Sequence, residues 1–306
     1  MTVFSHFHYD PVDPTPAPQP TPTEPEAPGL GLLAGLPGQW KGTGFNAIWR
    51  PSHSSQDRFL ELNLTAETLD FDDQDLGSIP NRGFMQDDIA MTGVRYLQRI
   101  SDANLDAGLH LEPGLWLNIP RTTAPAVVPS VARMASIPHG TTIVAQGTAI
   151  TVDGPPVFTP VDLNPFVIGA TSGANPFPEQ NLSTPTEFRT SGAGLTGITQ
   201  AMVDNPNSVL AAGVADKTIS RTVVLQVTTG SQPIVGGGTA NTAFLAGIPG
   251  AGPNADAALV TATFWLETVT APEPATLLQY TQTVLLNFNG LSWPHVTVAT
   301  LTKQPS

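Results

Sequence analysis

Cysteine is absent from all 306 residues, which removes disulfides, thiolate metal centres and cysteine nucleophiles together. Charge is scarce: Asp, Glu, Lys and Arg make up 12% of the chain, with 12 bases against 25 acids. The resulting formal charge of −13 repels phosphate backbones and anionic headgroups, so neither nucleic acid nor a membrane is an expected partner. No apolar run reaches the length of a membrane span, and MTVFSHFHYDP has neither the basic region nor the apolar core of a signal peptide. A cytoplasmic protein is the expectation. Several catalytic signatures are missing too. No serine sits in GxSxG, no HExxH occurs, the HxH of His6 and His8 lies in the N-terminal segment, and the Gly-rich run 234–256 contains no Lys or Arg to cradle a phosphate.

What the chain does have is glycine and proline, 28 and 31 of them, together with 40% hydrophobic residues. Frequent turns and enough apolar material for a core favour β structure. Residues 1–30 read as a Pro-rich extended arm, because proline at nearly every second position from 10 to 30 enforces polyproline II. Such an arm suits contact with the domain or with a second copy, and in the second case a homo-oligomer assembles through it. Residues 31–306 read as a single β-barrel domain. Ten strand-like stretches recur at 39–49, 58–71, 94–100, 108–120, 131–138, 141–152, 221–229, 258–270, 277–288 and 291–303, nearly all bounded by Gly, Pro, Asn or Asp. Sequential antiparallel pairing is the economical topology for that spacing, giving a meander closed on itself. Between about 155 and 220 the pattern changes to Pro- and Gly-rich loops. GITQAMVDNPNSVLAAGVAD follows, with spacing that suits two short helices broken near Asn205-Pro206, as an insertion or lid.

The last two stretches are joined by Asn289-Gly290, the favoured pair for a type I′ hairpin turn. That turn pairs Phe288 with Leu291, Leu286 with Trp293 and Val284 with His295. In WPHVTVATLTK alternation puts Trp293, His295, Thr297, Ala299 and Leu301 on one face, and neither face is plainly polar. A histidine there is either a satisfied core residue or a ligand. Thr297 and Ala299 are small and leave room beside it for a planar group.

Two other histidines stand where chemistry is conceivable. His110 shares a strand face with Glu112, a pair suited to proton transfer or metal binding but equally to a polar rim. His139, in SIPHGTT, sits in a tight turn that faces either solvent or a barrel mouth. His6 and His8 belong to the arm, and His53 to a polar loop. The acidic cluster FDDQD lacks the glycine and glutamate of a calcium loop, so it and MQDD read as solvated turns, and Arg82 and Gln86 either reach an acidic group on a ligand or are ordinary surface residues.

The entry stretch LPGQWKGTGF, with Gly38, Trp40, Gly42 and Gly44, resembles the opening Gly-x-Trp-x-Gly-x-Gly of the nitrobindin-like haem-binding β-barrels, relatives of the fatty-acid-binding proteins within the calycins. LHLEPGLWLNIP followed by VARMASIPHGTTIVAQG is similar to their middle section, and HVTVATLTK to their closing strand. The resemblance implies an all-β, antiparallel calycin-like barrel holding haem b, with His295 as the axial iron ligand and Trp293, Thr297, Ala299 and His139 beside the cofactor. The arm and the stretch from about 155 to 260 have no counterpart in it.

Three functions from different classes follow as expectations. The first is a haem-binding barrel that binds or converts a small ligand. The second is a haem-free, lipocalin-like carrier of an apolar small molecule. The third is a cofactor-free barrel enzyme of the dehydratase or isomerase type, with His139, or His110 and Glu112, as acid and base.

Overall fold

The computed structural model describes residues 29–53, 57–170, 176–231 and 234–305. The oligomer expected through the proline-rich arm therefore rests on residues outside those described, as do His6 and His8. Ten long strands form the wall: β1 Gly38–Pro51, β2 Arg58–Phe71, β3 Gln86–Asp102, β4 Ala107–Ile119 and β5 Ser130–Ile137, then β6 Thr141–Asp153, β7 Thr218–Thr228, β8 Asp256–Ala271, β9 Ala275–Phe288 and β10 Leu291–Lys303. Each pairs antiparallel with the next, and β10 returns to pair with β1 from Trp40↔Lys303 to Ile48↔His295. The result is a closed all-β barrel, and each strand covers all or all but one residue of one of the ten stretches expected from sequence. The final hairpin has the predicted register, Phe288↔Leu291, Leu286↔Trp293 and Val284↔His295, with Asn289 and Gly290 both at positive φ as a type I′ turn requires.

Closure demands a tight seam. A Cβ on Gly42 would fall 1.9 Å from the Thr300 carbonyl oxygen, and one on Gly44 2.1 Å from that of Val298. Both glycines of the entry motif therefore serve β1–β10 contact. Trp40 belongs to the same end: its indole donates to the Leu36 carbonyl, and Leu33 and Leu36 are buried against it. That segment, with Leu69, Trp116, Phe264 and Leu278, fills the barrel where β1 begins.

A second apolar cluster lies on the outside. Phe45, Ala47, Trp49, Leu60, Leu62, Trp265, Val296 and Val298 are covered by Leu163, Val203 and Leu210 of the segment between β6 and β7. Two short helices occur there, α1 Gln200–Asp204 and α2 Ser208–Val214, separated at Asn205–Asn207. β2 and β3 pair only from Thr65↔Asp102 to Phe71↔Tyr96, and Phe188 and Thr190 take up free backbone groups of Leu60. The covering segment explains why the closing strand has no polar face. One of its faces lines the barrel interior, and the other lies beneath this cover.

Candidate functional site

The interior is filled at one end and hollow at the other. Strands alternate in direction, so the C-terminal halves of β1, β3, β5 and β9 and the N-terminal halves of β4, β6, β8 and β10 meet at the same rim. There Asn46, Ile48, Gln98, Ile100, His110, Ile137, Thr141, Val260, Tyr280, Gln282, Val284, His295 and Thr297 surround a cavity of about 340 Å³. Leu245 and Ala255, from the loop leading into β8, border it, as does His139 from the turn between β5 and β6. Residues far apart in sequence thus converge through topology alone.

His295 is enclosed: burial first, then the neighbouring His110 and His139, hold its imidazole down to about pKa 3, so it is neutral. Its Nε2 lies 3.1 Å from Asn46 Oδ1, which also accepts the Thr297 hydroxyl at 3.0 Å. With the Asn46 amide set this way its oxygen only accepts, which selects the tautomer with the proton on Nε2 and the lone pair on Nδ1. His110 and His139 face each other with ring centroids 5.5 Å apart. Burial, then the charge His110 can carry, lowers the pKa of His139.

Behind His110 lies a buried ionic group. Glu112 accepts from Tyr96 and Arg133 through Oε1, and from His110 Nε2 through Oε2 at 3.2 Å. Burial alone would raise its pKa, but Arg133, His110 and Tyr96 hold it at about 2. Arg133 donates further to Tyr96 and to Gln282 Oε1. A second buried carboxyl, Glu67, accepts from Thr65 at 2.7 Å and from Tyr280 at 2.6 Å, and burial raises it to about 7. Gln98 donates to Tyr280 at 2.9 Å. The cavity therefore rests on a layer of polar side chains that is hydrogen-bonded from below.

No protein-family model and no curated protein matches the chain. Among solved structures it is similar to the crystal structure of Rv2717c from M. tuberculosis, with 14% identity and a TM-score of 0.40 over 91% of this chain and 99% of that one. The fold rests on the strand register above, and the chemistry on the cavity.

Of the residues singled out in the sequence, His110, His139, His295 and Thr297 line this one cavity, with Glu112 directly behind. Ala299 lies deeper, packed in the filled end. Trp293 departs from the expectation that it shares a site with His295. Its ring stacks on Phe288 at 4.8 Å and meets Trp49 and Phe177 in the outer cluster. The pairing of β1 with β10 ends at His295, and beyond it Ser292 and Leu291 pair instead with Phe166 and Val167, so strict alternation no longer fixes the side of Trp293. His53 is exposed, and Arg82 pairs with Asp88 at the surface. Gln86 accepts from the backbone of Thr123 and Ala124. The sequence reading passed over Asn46, Gln98, Arg133, Tyr280 and Gln282. For Gln282 a signal existed, since the hairpin register sets it opposite Thr297, within the row of His295. Among the described residues no cluster of three or more His, Asp or Glu side chains is arranged to hold a metal ion.

Proposed function

We propose that the chain is a small-ligand-binding barrel, that its ligand occupies the His-lined cavity, and that haem b held through His295 is the specific form of that ligand. The observation carrying this reading is a neutral, enclosed imidazole with one nitrogen already bound to Asn46, which leaves Nδ1 as an iron-competent donor. An iron that brings its own equatorial nitrogens needs only one protein ligand, which suits a cavity without a multidentate metal cluster among the described residues. Bound there, haem would supply a site for a diatomic or peroxide-type molecule. Asn46 and Thr297 fix the His295 ring, while His110 and His139 stand on the cavity wall as polar neighbours of whatever binds. A tetrapyrrole is bulkier than the enclosed space, so its entry requires the loop carrying Leu245 and Ala255 to yield.

That same volume favours a second reading, a carrier of a smaller apolar molecule without iron, because about 340 Å³ is at the low end of ligand pockets, roughly 300–1,000 Å³. Titration of the purified protein with haemin, followed in the visible spectrum, separates the two. The haem reading expects a saturable, shifted absorption band that His295→Ala abolishes or displaces, with the β-sheet circular dichroism intact. No uptake, or an unchanged band in the variant, leaves the apolar-carrier reading.

A further inference from the structure

The polar layer under the cavity has its hydrogen-bonding sense set by a buried network of Arg133, Glu112, Tyr280 and Glu67. Arg133 only donates hydrogen bonds. Because it donates to Gln282 Oε1, the Gln282 amide is oriented with its NH₂ group away from Arg133. That NH₂ has no protein partner among the described residues, and Gln282 lines the cavity. The Gln98 amide is set the other way round. Its Nε2 donates to Tyr280 and to Glu67, at 2.9 and 3.4 Å, and its Oε1 has no partner among the described residues. Neither of these open atoms is fully enclosed, and both residues line the cavity.

The charged groups are spoken for. Arg133 is balanced by Glu112 and lies behind Gln282, and Arg50 at the rim is paired with Glu61 at 2.8 Å. A carboxylate entering this space would lose its hydration without meeting an unpaired arginine, and an ammonium would find only Glu67, which is set behind Tyr280 and Gln98 and already held by Thr65, Tyr280 and Gln98. The surrounding walls are Ile48, Ile100, Leu109, Ile137, Val260 and Val284.

From this we infer that the cavity takes an uncharged, largely apolar molecule whose polar end is a carbonyl group, its oxygen accepting from Gln282 Nε2, with a primary amide adding a donor to Gln98 Oε1. The inference rests on the cavity as the binding site and not on iron.

The test is a matched series of one chain length, octanamide, octanoate and octylamine, measured by calorimetry on the wild-type protein at neutral pH. Octanamide binds, and the two ions bind at least tenfold more weakly. Gln282→Leu removes the preference of octanamide over 1-octene while leaving the alkyl contribution. Should that variant not fold, the wild-type ranking alone decides. Octanoate or octylamine binding as tightly as octanamide overturns the inference, as does a Gln282→Leu variant with undiminished amide preference. A parallel haemin titration keeps the two ideas apart. Haem uptake without any amide binding refutes this inference and leaves the haem reading standing, and amide binding without haem uptake does the reverse.

Discussion

Glu267 gives the sharpest test of how the outer cover is held. It lies on β8, on the face turned away from the cavity, paired across the sheet with Thr222 on one side and Leu277 on the other. Thr222 donates to the Gly154 carbonyl, Val214 of α2 packs near Leu277, and Phe158 meets Trp265 edge-on at 5.0 Å, so the β6–β7 segment closes over this patch. Glu267 is fully buried and neither carboxyl oxygen has a partner among the described residues. Burial raises its pKa from 4.5 to about 8. In the unfolded chain the carboxyl ionises above 4.5, while in the fold it holds its proton until about 8. Stability is therefore fully present below 4.5 and declines as pH rises through that window. At ~1.4 kcal/mol per pH unit, about 3 kcal/mol is lost between pH 5 and pH 8, a large fraction of a typical total of roughly 5–15 kcal/mol. Glu267→Gln removes the ionisation at nearly constant volume. Urea unfolding of both proteins at pH 5 and pH 8 measures it: the two converge at the acidic value, and the variant is the more stable at the alkaline one. Glu67, raised to about 7, tilts both proteins alike and cancels in the difference. Parallel pH profiles for the two proteins would refute the reasoning.

Two further outcomes follow from the same structure. His295 works in the opposite sense, since burial lowers it from 6.5 to about 3: its contribution is intact above 6.5 and is lost as pH falls towards 3, so His295→Gln should flatten the acid limb of the stability profile, read by denaturant unfolding at pH 6 and pH 4. An equal acid slope in both proteins would sink that assignment. Gly140, at φ 122°, accepts a backbone bond from Thr242, and a Cβ there would lie 2.6 Å from Thr242 Oγ1 and 2.8 Å from Leu245 Cδ1. Gly140→Ala, at a strain of about 1–3 kcal/mol, and the unstrained Leu245→Ala should both speed release of a cavity-bound probe several-fold by stopped flow. Unchanged release in both would mean that the Leu245 loop does not gate the cavity.

How far the sequence reaches can be judged residue by residue. Asn289-Gly290 specifies its turn locally, and the register of the closing hairpin follows from it without any tertiary knowledge. The ten strands are legible for the same reason, because nearly all are bounded by their own turn residues. The side of Trp293 is not, since it depends on where β1 stops pairing with β10, a property of two strands some 250 positions apart. The polar layer is harder still. Arg133, Gln282, Glu112 and Tyr96 are, singly, interruptions in apolar strand faces, and alternation assigns them to the interior without saying what they do there. Arg133 and Gln282 are 149 positions apart, and only the closed barrel brings the guanidinium to the amide. Sequence patterns register burial well because it repeats along a strand, whereas the direction of a hydrogen bond is set by a single distant donor. That direction turns an inward-facing glutamine into an oriented N–H donor. The ligand chemistry of this cavity is consequently a property of its network, and a strand-by-strand reading recovers the barrel long before it recovers what the barrel is built to hold.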